Sequence, residues 1–325
     1  MNQALSEILP VLRGAGNVLI ATHVFPDADA LGAQLALGNV LRSMGKGVYL
    51  YSEEPANYIL EFLPGSDRLS IGLPEMNQFD CGVALDCGDD MRLGKVKDYL
   101  LNIHPFVVID HHTGHKNFGD IRWVDAGKSS TGEMVYELAQ AMGAPIDYDT
   151  AYCLYSAIVS DTGSFKYAST SADTLRIAGD LIARGVKPAE ISGKIFDNFT
   201  RNRLQLLQEV LATLILYEEE QLAVITVTRE MYEKTGTTAA DTELFINYPR
   251  SLETVKVAAF VKEAKEHIGV SLRSKGQYDV AQVARMFGGG GHRNAAGFKL
   301  RDKNIAEVQK ALLAELHVLL TTPQK

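Results

Sequence analysis

The sequence lacks the features that would place it in several large protein classes. Its three cysteines, Cys81, Cys87 and Cys153, are an odd number without a C-x-x-C pair. That argues against a disulfide framework or a cysteine zinc site and leaves them as small apolar core residues. No apolar run reaches the roughly 18 residues of a membrane-spanning helix. The opening stretch MNQALSEILPVLRGAG also lacks the basic, apolar and small-residue succession of a secretory signal. A cytoplasmic protein without membrane contact is expected. There is no internal repeat, no low-complexity tract and no extended basic track of the kind long nucleic acid requires. The glycine run at 288–291 is not a P-loop, because no Lys-Ser/Thr pair follows it.

What remains is ordinary globular material. The chain has 325 residues, 46% hydrophobic and 22% charged, long enough for two domains with separate cores. The net charge of -8 is unevenly spread: residues 1–190 hold 14 Lys and Arg against 24 Asp and Glu, and residues 191–325 hold 18 against 16. Most of this acid, such as Glu53, Glu54 and Glu75, reads as solvated surface.

Short β-branched runs at 18–22, 48–51, 82–86 and 106–110 alternate with amphipathic stretches, a pattern that predicts an α/β fold with a parallel sheet. The stretch DADALGAQLALGNVLRSMG keeps helical spacing and ends on Gly45, as a helix with a glycine C-cap would. Residues 130–185 read as several helices, and 188–216 as one long helix joining two domains. Further strands are expected at 222–227, 255–261 and 267–273, with helices near 279–287 and 304–320 covering them. The expected division is therefore 1–187, a helical linker at 188–217, and a smaller α/β domain at 218–325.

Open parallel sheets bind ligands beyond the carboxyl ends of their strands, and metal-ligating residues gather there. The first strand is followed by His23, Asp27 and Asp29; the third ends in Asp86; the fourth ends in Asp110, His111 and His112. Asp161 follows an apolar stretch and precedes a glycine turn. A single strand-end Asp is as readily a helix N-cap, but carboxylates brought together repel unless cations neutralise them. Asp27, Asp29, Asp86 and Asp161 would balance two divalent ions. Mixed nitrogen and oxygen donors without thiolate favour Mn(II), with Co(II), Zn(II), Fe(II) or Mg(II) as alternatives.

The series His23-x-x-x-Asp27-x-Asp29, Asp86, Asp110-His111-His112 and Asp161 resembles the four-motif signature of the DHH phosphoesterase superfamily. GGGGHRNAAG at 288–297 resembles the glycine-rich motif of its DHHA1 substrate domain. The length looks most like the nanoRNase type, bifunctional oligoribonucleases and 3'-phosphoadenosine 5'-phosphate (pAp) phosphatases. Phe25 and Ala28 stand where family motifs often carry Asn and Gly; neither is a ligand position, though Phe25 could alter the mouth of the site. The resemblance implies that His23, Asp27 and Asp86 hold one ion and Asp29, Asp86, His111 and Asp161 the other, with Asp86 bridging. It implies that His112 contacts the scissile phosphate. Asp110 either orients a histidine or is structural.

Ser129, Ser130 and Thr131 precede a predicted helix beginning near Gly132, whose free amides could hold phosphate; the alternative is an ordinary N-cap. In the second domain, Gly289, Gly290 and Gly291 would let the backbone approach a ligand closely, with His292 and Arg293 donating to a phosphate. Arg273 could form a bidentate pair with a terminal phosphate or a surface ion pair. The expected substrates are single-stranded oligonucleotides of about two to five residues and pAp. The expected reading clamps the substrate between the domains. A phosphodiesterase for cyclic di-AMP or pApA is the alternative, ahead of a single-strand exonuclease, an inorganic pyrophosphatase or an inactive nucleotide-binding regulator. Helical faces of the first domain leave room for a homodimer, which nothing in the sequence requires.

Overall fold

A computed structural model describes residues 3–75 and 78–322. The chain divides into two compact units, Met1–Asn198 and Phe199–Lys325. The first unit contains α1 (Gln3–Gly14), β1 (Asn17–Thr22), α2 (Ala28–Ser43), β2 (Gly47–Tyr51), β3 (Cys81–Leu85), α3 (Lys97–Leu101), β4 (Phe106–Asp110), β5 (Ile121–Val124), α4 (Thr131–Met142), α5 (Tyr148–Asp161), α6 (Ala172–Ala183) and α7 (Pro188–Phe196). Its five strands pair in the order β2-β1-β3-β4-β5, every pairing parallel.

Both faces of this sheet are covered, which is why β3 and β4 are buried at every residue and read as continuous apolar runs. On one face Val18, Ile20, Val83, Leu85, Val107 and Ile109 pack with residues of α1, α2, α4 and α5. On the other, Leu19, Ala21, Ala84 and Val108 pack with Leu93, Leu100 and Ile103. Parallel pairing sends the carboxyl ends of β1, β3 and β4 to one edge, so the residues that follow them converge.

The second unit contains α8 (Arg201–Leu211), β6 (Ile215–Tyr217), β7 (Leu222–Val227), α9 (Arg229–Thr235), α10 (Asn247–Ser251), β8 (Val257–Glu263), β9 (Ile268–Ser274), α11 (Val280–Met286), β10 (Gly290–His292), β11 (Ala295–Leu300) and α12 (Ile305–Thr321). The sheet is mixed, in the order β10-β11-β9-β8-β7-β6, with β7 and β8 parallel and the other pairs antiparallel. One face, with Val224, Ala259, Val270, Leu272 and Phe298, packs on residues of α11 and α12.

The single long helix expected over 188–216 is instead two helices and a short strand. α7 ends at Phe196, and Thr200 caps α8 by accepting a hydrogen bond from Arg203 N at 3.1 Å. Asn198 bonds back to Lys194 O at 2.7 Å. Side chains of Asp, Asn and Thr compete with the helical ladder for backbone partners, so the cluster Asp197, Asn198, Thr200 breaks what apolar spacing alone reads as continuous. The division between the two units falls at this break.

Candidate metal centre

Asp27 ends the loop after β1 and is the N-cap of α2, its Oδ1 accepting from Asp29 N at 3.1 Å and Ala30 N at 3.0 Å. The capping and ligand readings are therefore compatible, since Oδ2 takes no part in the cap. His23, buried at the end of β1, donates Nδ1–H to Val24 O at 2.9 Å. That bond fixes the tautomer and leaves Nε2 facing Asp86 Oδ2 at 3.6 Å. Phe25, between them, is exposed with φ of 54°.

Asp29 lies in the first turn of α2 and reaches the start of α4, accepting from Thr131 N on Oδ2 and Gly132 N on Oδ1, both at 2.8 Å. A Cβ on residue 132 would press on Ala157 and stand 3.3 Å from Asp29 Oδ1, so glycine is what lets this amide approach. Asp86 follows β3 with φ of 57°, and its Oδ1 accepts from Thr131 Oγ1 at 2.8 Å. Its carboxylate lies 3.6 Å from His23, 3.4 Å from His111 and 3.6 Å from His112.

His111 carries the strongest constraint. Its Nδ1 lies 3.3 Å from Lys128 O, which can only accept. Its Nε2 lies 3.5 Å from Asp29, 3.4 Å from Asp86 and 3.4 Å from Asp161. A neutral imidazole would aim its lone pair at three carboxylates, so the arrangement demands positive charge there, as a proton or a metal ion. The 3.4–3.6 Å separations exceed charge-assisted hydrogen bonds of about 2.7–2.9 Å and suit two ligands each about 2.1 Å from a shared cation.

The ionisation of these groups without metal agrees. Burial, and then repulsion by Asp86, raise the pKa of Asp29 well above its usual value. Burial raises that of Asp161, the last residue of α5, to about 6, helped by Asp27 and Asp86 against the opposing charge of His111. Burial also opposes the Asp86 carboxylate, but contacts with His111, His112 and His23 outweigh it and hold its pKa well below the usual range. Burial disfavours protonated His111, yet Asp161, Asp86 and Asp29 together raise its pKa well above the ordinary value. The ligand atoms of His23, Asp27 and Asp86 lie within 4.8 Å of one another, as do those of Asp29, His111 and Asp161, and those of Asp86, Asp110 and His112. Carboxylates that resist ionising together, beside histidines with Nδ1 already committed, are a donor set suited to divalent cations.

Asp110 ends β4 fully buried, and its Oδ1 accepts from His112 Nδ1 at 2.7 Å. His112 Nδ1 is thus committed to Asp110. Burial opposes protonation of His112, but the bond to Asp110 and the charge of Asp86 raise its pKa.

The phosphate-binding reading of Ser129, Ser130 and Thr131 is not what the structure shows. All three are fully buried. Ser130 caps α4 through Glu133 N at 3.0 Å, Ser129 Oγ donates to Glu133 Oε2 at 2.6 Å, and Thr131 serves Asp29 and Asp86. The positive end of α4 is occupied by the acid of α2 rather than left for a substrate. Three residues that the sequence reading passed over support this arrangement. Buried Glu133 also accepts from Thr174 Oγ1 at 2.8 Å and pairs with Lys128 at 3.5 Å, while Lys128 O receives His111. The Ser130-x-x-Glu133 spacing of a capping box was the available signal.

In the second unit, the register aligns Ala258, Arg273, Ala295 and His292 in one row across β8, β9, β11 and β10. Arg273 and His292 therefore share a face. Lys262 and Lys299, both opposite Gly269, lie on that face too. The pKa of Lys262 is lowered by burial and by Arg273 and Lys299 against the opposing charge of Glu243. The glycine run answers a closer need than ligand approach. A Cβ on Gly289 would strike Gly297 O and Phe298, and one on Gly291, with φ of 135°, would strike Ala295 O and Ala296. Both glycines thus let β10 lie against β11, whereas Gly290 faces open space. Arg293 is also committed: its Nε and Nη2 bond Gln277 O at 3.1 and 2.6 Å. It ties down the segment leading into α11 instead of offering that fork to a phosphate.

A parallel sheet with convergent acids and histidines at its carboxyl edge, followed by a mixed sheet with a glycine hairpin, has a match among known families. Residues 17–158 match the DHH family, N-terminal domain, and residues 219–318 match the DHHA1 domain. The chain belongs to the DHH/DHHA1 family and is a phosphoesterase of that family. It is 30% identical over 318 residues to the bifunctional oligoribonuclease and PAP phosphatase NrnA of Thermus thermophilus, covering 98% of this chain and 94% of that one. It is 26% identical to NrnA of Bacillus subtilis, covering 97% and 98%. A crystal structure of an exopolyphosphatase-related protein from Bacteroides fragilis superposes with a TM-score of 0.88 at 27% identity, covering 98% of both chains. Among the described residues, no helix is long and apolar enough to cross a membrane.

Proposed function

We propose that this chain hydrolyses oligoribonucleotides of about two to five residues to mononucleotides, and pAp to AMP, using two divalent ions with Mn(II) as the first choice. The observation that carries the reading is His111 Nε2 facing Asp29, Asp86 and Asp161 with its other nitrogen already committed. In this reading His23, Asp27 and Asp86 would hold one ion and Asp29, Asp86, His111 and Asp161 the other, with Asp86 shared between the two sets. When bound there, such ions would lower the pKa of a water and stabilise charge on the leaving oxygen. His112, oriented by Asp110, donates Nε2–H to the scissile phosphate. The closeness of Asp110 and His112 favours orientation over a purely structural role.

The second domain selects the substrate, with Arg273 and His292 as donors on a face that also carries Lys262 and Lys299. Four cationic or donor groups on one face suit a terminal phosphate better than a long polyanion. The names of the Thermus and Bacillus relatives support both the oligoribonuclease and the pAp activity. The test is a panel of 5'-labelled di- to decanucleotides, pAp, cyclic di-AMP and pyrophosphate with Mn(II). Dinucleotides to pentanucleotides and pAp should turn over fastest. Preference for cyclic di-AMP, pyrophosphate or the longest strands would reject the assignment.

A further inference from the structure

Two buried polar atoms close to the centre lack a hydrogen-bond partner among the described residues: Asp110 Oδ2 and His115 Nε2. They are complementary. Asn117 N donates to His115 Nδ1 at 2.9 Å, so Nδ1 must carry a lone pair and the proton of the neutral ring sits on Nε2. His115 Nε2–H is therefore a buried donor and Asp110 Oδ2 a buried acceptor, each costly to leave unpaired.

Backbone contacts link the segments that carry them. Lys116 N bonds Gly88 O at 2.9 Å, and a Cβ on Gly88 would stand 3.4 Å from Asp110 Oδ2 and 3.1 Å from His112 Cβ. The His115 ring stacks on Phe118 with centroids 5.0 Å apart, which fixes its plane. Burial is the largest influence on the ring, and among the charges around it Asp110 acts most strongly.

We propose that His115 is a positioning residue for the reaction, donating from Nε2 to Asp110 Oδ2 through one bridging water and so completing a His115–Asp110–His112 chain. A buried polar gap between a donor and an acceptor is where an ordered water is retained. With Oδ2 held, the Asp110 carboxyl cannot rotate away from His112, and Nε2 of His112 keeps its aim. The inference rests on the function proposed above for His112.

Two variants separate hydrogen bonding from packing. His115→Phe keeps the stack on Phe118 and removes the donor. His115→Gln loses the stack but keeps a donor, its side-chain amide N–H reaching the position of the ring's Nε2–H and donating toward Asp110. Supporting groups of this kind typically change activity 10- to 100-fold. The Phe variant should lose at least about tenfold in kcat on a dinucleotide with Mn(II). Its KM and its Mn(II) affinity should stay within about twofold, and the Gln variant should recover to within about threefold of wild type. Full activity in the Phe variant, or equal loss in both folded variants, would overturn the proposal. The ring tautomer is read independently of turnover by long-range proton–nitrogen NMR on metal-free protein. A proton on Nε2 of His115 is expected and one on Nδ1 would overturn the chain. If wild type itself proves inactive on these substrates while the tautomer is as expected, the failure lies with the assigned reaction.

Discussion

His111 Nε2 lies 3.4–3.5 Å from three carboxylates, and in metal-free protein a proton must hold that group together. Asp161 has its pKa raised to about 6, against an ordinary 3.8. A carboxyl that binds its proton more tightly when folded stabilises the fold most below the unfolded value, and this contribution is lost as pH rises through about 6. Asp29 shifts in the same direction, and so does the raised His111, whose contribution also fades as pH rises through its folded pKa. The lowered Asp86 acts in the opposite sense, but its window lies below 3.8. Metal-free protein should therefore lose on the order of 1–3 kcal/mol between pH 5 and pH 8. Added Mn(II) should raise Tm more at pH 8 than at pH 5, because metal competes with protons for these ligands. Calorimetric melts at the two pH values check this, and a pH-independent metal-free Tm would contradict it. The residues that converge here were legible in the sequence, since strand ends and residue types mark them. Lys128, Glu133 and His115 were not, and Thr131 was read as a phosphate donor, because these roles depend on contacts such as Thr131 with Asp29, 102 residues away.

At the level of elements, the start of α4 shows what periodicity leaves out. The sequence marks a helix N-terminus with free amides, but not which anion fills it; the backbone delivers Asp29 there first. The segment 188–216 makes a similar point, since apolar spacing continues across Asp197–Thr200 while the side-chain oxygens do not permit the ladder to continue. The strands β10 and β11 were hidden for a different reason: glycine has no hydrophobic period to read, and its role lies in the close approach of the two strands. The α8 break also has an anchor in Arg203. This residue is 1% exposed and donates to Asp241 O at 2.9 Å and Glu243 O at 2.7 Å, its guanidinium 4.2 Å from the Phe199 ring centroid. Thr200→Ala should cost about 1 kcal/mol of stability. Arg203→Met should cost about 3 kcal/mol, because two carbonyls lose charged donors. Urea denaturation of both variants tests the ranking, and a cap loss larger than the arginine loss would refute it.

For the whole molecule, the charge asymmetry read from the sequence acquires a location. The acid of the first unit includes the carboxylates that converge at the carboxyl edge of its sheet, while the second unit sets Arg273, Lys262 and Lys299 on one sheet face. A cation-demanding centre and an anion-suited face are what hydrolysis of a small phosphorylated substrate requires. The α/β architecture with two sheets was legible because alternating elements leave few topologies. The mixed character of the second sheet was not, since strand direction depends on connections that periodicity does not record. The central claim is that the convergent residues form a centre for two ions with Asp86 shared between them. Calorimetric titration of metal-free protein with Mn(II), on wild type and Asp86→Asn, tests it most directly. Two ions per chain are predicted for wild type and at most one tight site for the variant. No saturable binding in wild type, or two undiminished sites in the variant, would contradict the account.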